Sequence, residues 1–235
     1  MKFKLTAVFF IFSMFSMTSQ NQEIEKLTAQ DSANLKKYRS ENEAILDSSK
    51  KITAVFMGNS ITEGWVNANP EFFSENNFIG RGIGGQTTPQ MLIRFMADVV
   101  ELDPEVVVIL AGTNDIAGNT GFSSEEMITD NIKAMAQLAT SNDIEVVLSS
   151  ILPVYDYAWR PGMEPVQKIA SINSWLKKYA EENGHIYLDY FSAMIDERQG
   201  LSSDYSEDGV HPNPKGYRVM EPLAKAAIEQ ARSSQ

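Results

Sequence analysis

Val106-Val107-Val108-Ile109-Leu110 is an unbroken apolar run, entered from Glu105 and left through Ala111. A strand with one wet face would alternate apolar and polar residues. An unbroken, β-branched run is what a strand buried on both faces requires, and such strands belong to parallel sheets covered by helices. Four more strand-like runs lie on either side of it, at residues 52–57, 78–80, 144–150 and 185–190. Helix-like runs separate them at 89–102, 123–140 and 164–183, and a last one covers 214–232. This alternation predicts one α/β domain, a three-layer α/β/α sandwich around a parallel sheet of about five strands. A chain of 235 residues is long enough to bury a substantial core in one such domain.

Composition narrows the function. A formal net charge of -11 and the lack of any basic stripe argue against nucleic acid and against anionic lipid surfaces. With no cysteine in the chain, disulfides, thiol catalysis and a lipidated cysteine anchor are excluded. Two histidines and no carboxylates clustered at ligand spacing make a metal site unexpected. No phosphate-cradling loop is present, because the glycines at 80–85 lack both the Gly-Lys pair and the final glycine of a dinucleotide fingerprint.

At the N-terminus, Lys2 and Lys4 precede an apolar segment over 5–17 and then small polar residues. This reads as a signal peptide over 1–20, cut near Thr18 to Asn21, with an uncleaved anchor as the alternative. Export is expected either way. Residues 21–50 read as a helical extension, an amphipathic helix over 23–46 with Ile24, Leu27, Ala33, Leu35, Tyr38 and Ile45 as its apolar positions. The remaining 51–235 form the α/β domain.

Two short stretches carry the chemistry. Gly58-Asn59-Ser60-Ile61 puts a serine directly after the first strand-like run, and Asp208-Gly209-Val210-His211-Pro212 sets a carboxylate and an imidazole just before the last helix. A serine hydroxyl attacks at neutral pH only when a base takes its proton and an acid orients that base. Of the two histidines, His185 opens a strand-like run with no acid at short spacing before it, whereas His211 has Asp208. Ser60, His211 and Asp208 are therefore the expected nucleophile, base and orienting acid. Ser60, Gly85 and Asn114 each follow a strand-like run, so all three should meet at the carboxyl edge of the sheet, where open α/β sheets place their sites. The plainer reading of Ser60 is a helix N-cap paired with Glu63.

Four segments resemble, in order, the signature blocks of the SGNH (GDSL-type) esterase superfamily. They are Phe56-Met57-Gly58-Asn59-Ser60-Ile61, Gly82-Ile83-Gly84-Gly85-Gln86-Thr87-Thr88, Ala111-Gly112-Thr113-Asn114-Asp115 and Asp208-Gly209-Val210-His211-Pro212. The chain is most similar to the platelet-activating-factor acetylhydrolase-like and bacterial O-acetylesterase branch. The resemblance implies the flavodoxin-like fold of that superfamily, a Ser60–His211–Asp208 triad, and an oxyanion hole from the Ser60 and Gly85 N–H groups and the Asn114 amide. It implies no cofactor. The chemistry separately asks for such donors, because a tetrahedral intermediate builds negative charge on the former carbonyl oxygen. Two positions depart from the pattern. Asn59 and Gln86 stand where the superfamily usually and often has aspartate, respectively.

The run Leu152-Pro153-Val154-Tyr155-Asp156-Tyr157-Ala158-Trp159-Arg160-Pro161-Gly162 reads as a rim loop. Its Tyr155, Tyr157, Trp159 and Arg160, with Trp65, are candidate substrate contacts that could stack on a sugar or wall an acyl pocket. The alternative is a loop packing its own aromatics. The expected function is an exported esterase removing short acyl groups, most of all acetyl, from carbohydrate. The competing readings are a lysophospholipase or thioesterase, and a non-catalytic glycan-binding module.

Overall fold

The computed structural model describes residues 31–48 and 50–233. The expected signal peptide over 1–20 and the start of the expected extension lie outside these residues. The elements are α1 (Arg39–Asp47), β1 (Ala54–Gly58), α2 (Ser60–Ala68), α3 (Pro70–Ser74), β2 (Phe78–Gly82), α4 (Thr88–Asp98), β3 (Val106–Ile109), α5 (Thr113–Ile116), α6 (Glu125–Thr140), β4 (Glu145–Ser149), α7 (Pro165–Asn183), β5 (Ile186–Leu188), α8 (Phe191–Met194) and α9 (Pro214–Arg232).

All five strands are parallel, in the order β2-β1-β3-β4-β5. Ala54 pairs with both Phe78 and Val106, and Val106 with Glu145. Alternate residues of each buried strand feed two cores. Val55, Met57, Val107, Ile109, Val146 and Leu148 pack with Met91 and Phe95 of α4, Ile132 of α6 and Ile172 of α7. Phe56, Val108 and Val147 point the other way, against Ile61 and Trp65 of α2, Phe72 and Phe73 of α3, and Met220 and Ala224 of α9. Burial on both faces is the reason for unbroken apolar runs, and the three layers are those expected. Among the described residues, no helix is long and apolar enough to cross a membrane.

The chain leaves β1 toward β2 on one side and returns to β3 on the other. The crevice at the carboxyl ends of β1 and β3 is therefore the switch point where open sheets bind ligands. Ser60 follows β1 and Asn114 follows β3, so both flank it.

Three departures from the sequence reading have physical causes. The extension is helical only from Arg39 within the described residues. Asp31 accepts the Leu35 N–H at 2.8 Å, Asn34 takes a left-handed φ of 55°, and the segment is anchored onto the β2 loop by tertiary bonds. Helices α2 and α3 were not legible in a stretch broken by Gly64, Asn67, Asn69 and Pro70. Asn59 and Asn69 cap them by accepting the N–H groups of Ile61 and Phe72, and stacked aromatic rings bury their inner faces. Ser60 is thus the first residue of α2 and not its cap.

Candidate active site

Asp208 and His211 lie on one tight turn, and the turn explains their spacing. Asp208 Oδ1 accepts the N–H groups of Val210 at 2.9 Å and His211 at 2.8 Å, an Asx-type turn that folds the chain back on the carboxylate. Ser206 Oγ also donates to Oδ1, at 3.2 Å, and accepts the Gly209 N–H at 2.9 Å. With Oδ1 filled, Oδ2 faces the imidazole, and His211 Nδ1 lies 2.6 Å from it. Burial pushes the Asp208 carboxyl up, but bonds from the His211 N–H, the His211 ring and the Val210 N–H outweigh it and hold it at about 2. An ionised carboxylate only accepts, so Nδ1 carries the proton and Nε2 is left as an acceptor. Ser60 Oγ sits 2.9 Å from that Nε2. One turn thus sets one imidazole nitrogen against one hydroxyl.

The opposite wall is the Gly82–Gln86 loop. Gly82 lies so close to α2 that an added Cβ would stand 2.2 Å from the Glu63 backbone nitrogen. Gly85 has a φ of +75°, a conformation glycine adopts without steric cost. Asn119 Nδ2 donates to the Gly85 carbonyl at 3.2 Å and Asn114 Nδ2 to the Gln86 carbonyl at 2.9 Å. Neither the Ser60 nor the Gly85 N–H has a hydrogen-bond partner among the described residues. Asn114 is buried at 4 % exposure, and one of its two amide hydrogens is engaged. The Ser60 and Gly85 N–H groups and the second Asn114 amide hydrogen are thus without a partner among the described residues.

Buried groups that sequence reasoning missed hold this arrangement. Asp115 accepts the Thr88 N–H with both carboxylate oxygens and the Thr88 hydroxyl at 2.6 Å, tying the Asn114 turn to the start of α4. Burial pushes its carboxyl up to about 6 against those bonds. The guanidinium of Arg94, fully buried, donates to the carbonyls of Gly58 and Arg81, to Gln86 Oε1 and to Asp98. It locks together the carboxyl ends of β1 and β2. Asp115 closes the third block with no role read for it, and Arg94 has no motif; an arginine in a helical run reads as a surface charge until the fold encloses it.

Both departures from the superfamily pattern are accommodated. Asn59 accepts the Ile61 N–H as a helix cap. Gln86 accepts from Arg94 at 2.6 Å and donates to the Ala33 carbonyl at 2.6 Å, and the second bond is one no aspartate could donate.

The candidate substrate contacts divide. Trp65 is 1 % exposed and stacks between Phe72 at 5.0 Å and Tyr217 at 5.7 Å, so it is core and not a substrate contact. Trp65→Ala is expected to cost about 3–5 kcal/mol of stability and to lower the thermal midpoint, with KM of the folded fraction unchanged. Intact stability with weakened substrate binding would reverse this assignment. Tyr157 is also fully buried, its hydroxyl donating to the Thr113 carbonyl at 3.0 Å directly before Asn114, so it is a support and not a contact. Arg160 Nη1 donates to the carbonyls of Ala117 and Gly118 and braces the turn beyond Asn114. Only Trp159 and Tyr155 present open rings. Trp159 stands 6.4 Å from the His211 ring, and Tyr155 lines a cleft of about 280 Å³ beside Asp208 with Arg198 over its face. His185 lies at the opposite, amino edge of the sheet, its ring 5.8 Å from Tyr179.

The profile of the GDSL-like Lipase/Acylhydrolase family matches residues 56–219. The solved structure of a GDSL-like lipase from Bacteroides thetaiotaomicron VPI-5482 is 47 % identical, covers 85 % of this chain and 98 % of that one, and superposes with a TM-score of 0.82. A Streptococcus pneumonia protein named provisionally as a platelet activating factor is 25 % identical, covers 91 % of this chain and 99 % of its own, with a TM-score of 0.72. The multidomain esterase of Ruminococcus flavefaciens is 30 % identical over 125 residues, 52 % of this chain but only 15 % of that protein. The match spans all four blocks and, from Phe56 within β1 onward, the sheet that carries them, and on that evidence the chain belongs to the GDSL-like lipase/acylhydrolase family of ester hydrolases.

Proposed function

We propose that this protein is an exported serine esterase that removes short acyl groups, above all acetyl, from carbohydrate through an acyl-enzyme. The observation that carries the reading is the continuous relay Ser60 Oγ–His211 Nε2–Asp208 Oδ2, with links of 2.9 and 2.6 Å. In this reading His211 takes the serine proton as Ser60 Oγ attacks the ester carbonyl. The developing oxyanion is met by the N–H groups of Ser60 and Gly85 and by the Asn114 amide. His211 then returns the proton to the leaving alkoxide, water attacks the acyl-enzyme by the same relay in reverse, and the free acid departs. No cofactor enters these steps.

Because His211 must reach the leaving oxygen, the alcohol part of the ester lies on the imidazole side of the site. That side presents the Trp159 ring and the cleft lined by Tyr155, Arg198 and Gly209. Flat aromatic faces beside polar groups suit the apolar face and hydroxyl rim of a sugar. Export rests on the charged and then apolar N-terminus, Lys2 and Lys4 followed by residues 5–17.

The test is an acyl-length series of activated esters followed by acetylated oligosaccharides. Turnover should fall steeply from acetyl to butyryl and be negligible at octanoyl, since an overfilled small pocket costs about 1–3 kcal/mol. Acetate release from acetylated glycans should be unaffected by chelator. A flat or rising profile out to octanoyl would move the substrate to lipids or thioesters and leave the relay untouched.

A further inference from the structure

Glu63 occupies an unusual position for a helix-surface carboxylate. It stands one turn after Ser60 on α2, half-buried, with its carboxylate turned to the neighbouring loop. Its Oε2 accepts the Gly84 N–H at 2.7 Å, while Oε1 is paired with the Lys37 ammonium. A Cβ built on Gly84 would lie 3.1 Å from that Oε2 and 3.9 Å from Ser60 Cβ, so loop, carboxylate and serine are packed against one another. On the far side of Gly85, its carbonyl is held by Asn119. The peptide that carries the Gly85 N–H is thus pinned at both flanks, and one pin comes from the helix that begins with Ser60.

We propose that Glu63 is a positioning residue that fixes the Gly84–Gly85 peptide so that the Gly85 N–H points at the oxyanion, a role resting on the esterase reading above. The argument is geometric. An oxyanion donor helps only if it is already aimed when charge develops. A loop of consecutive glycines is the least able to hold such an aim on its own, because glycine has the widest choice of backbone conformations. A charged acceptor on Gly84 makes a strong bond of the charge-assisted kind and removes that choice. Lys37 stops the carboxylate from turning back to water. The segment bearing Lys37 is itself moored to the same loop, by Tyr38 Oη donating to the Gly82 carbonyl and by Gln86 Nε2 donating to the Ala33 carbonyl. The N-terminal segment thus acts as a strap behind the oxyanion loop.

The experiment compares Glu63→Ala, Glu63→Leu and Glu63→Gln with the wild type on 4-nitrophenyl acetate, with Ser60→Ala as the baseline and thermal unfolding recorded for each. Glu63→Ala and Glu63→Leu should stay folded and lose roughly 10- to 100-fold in kcat, a partial loss of what one oxyanion donor provides, with KM within about twofold. Their rate of modification by a fluorophosphonate should fall in step, since the phosphoryl oxygen uses the same donors. Glu63→Gln retains an acceptor oxygen for Gly84 and should keep kcat within about threefold of wild type. The proposal is overturned if the acceptor-free variants retain kcat, if the loss appears in KM, if Glu63→Gln is as impaired as Glu63→Ala, or if Glu63→Leu unfolds at 25 °C while Glu63→Gln does not. A wild type without turnover, or turnover that survives Ser60→Ala, takes down the esterase reading and this inference together. Failure of the Glu63 series alone takes down only the inference.

Discussion

Ser60→Ala is expected to lower kcat for ester hydrolysis by about 10⁴–10⁶-fold while leaving the protein folded. The hydroxyl is half-buried in the first turn of α2, and its bond runs to His211, so removing one oxygen leaves no buried partner stranded. Without it no acyl-enzyme can form, and only binding and the oxyanion donors remain to accelerate hydrolysis. His211→Ala should lose a similar amount, because an unassisted serine hydroxyl is a weak nucleophile. The double variant should be little worse than either single one, since the two side chains act as a unit. A fluorophosphonate should label the wild type at Ser60 and nowhere else, identified by mass spectrometry of the digest. Labelling at another serine, or more than about a tenth of the activity left in Ser60→Ala against the drop expected for a lost nucleophile, would remove Ser60 from the nucleophile's role.

Asn114→Ala is the second large effect, expected to cut kcat by about 10²–10³ with KM nearly unchanged. The asymmetry follows from what the amide meets. In the ground state the ester carbonyl is a weak acceptor, and in the transition state the same oxygen carries charge, so the lost bond is felt in the barrier. Asn114 also holds the Gln86 carbonyl, and its truncation frees one end of the loop that carries Gly85. Asn114→Asp, nearly the same shape, should be at least as impaired, because it replaces a donor with a negative charge facing the developing oxyanion. Steady-state kinetics on an acetyl ester decide the matter. A raised KM at constant kcat would make Asn114 a substrate-binding residue and empty the proposed oxyanion hole of its side-chain donor.

How much of this was legible beforehand depended on the reach of each interaction. Asp208 and His211 could be paired on paper because an Asx-type turn brings residues three apart together by local bonds alone. The strands could be read because burial on both faces writes itself as an unbroken apolar run. Trp65, Tyr157 and Arg160 could not be sorted from Tyr155 and Trp159. An aromatic or arginine side chain near a motif has the same letter whether it faces a ligand or a core. Only the stacking of Trp65 on Phe72 and Tyr217, and the bond of Tyr157 to Thr113, separates them.

The sequence by itself determined the parallel sheet, the helices long enough to show their period, and the residue types of the relay in order along the chain. Each of these rests on patterns repeated over a few residues, where local propensity and burial act on neighbours. The tertiary structure alone decided which groups support the relay. Glu63 and Gly84 lie 21 residues apart, Arg94 and Gly58 lie 36 apart, and Gln86 and Ala33 lie 53 apart. Such bonds form between segments that only the fold brings together, and those of Arg94 and Gln86 draw strength from the burial that the finished fold supplies. Until that burial exists, Arg94 is an ordinary charge on a helical segment, with water as its partner.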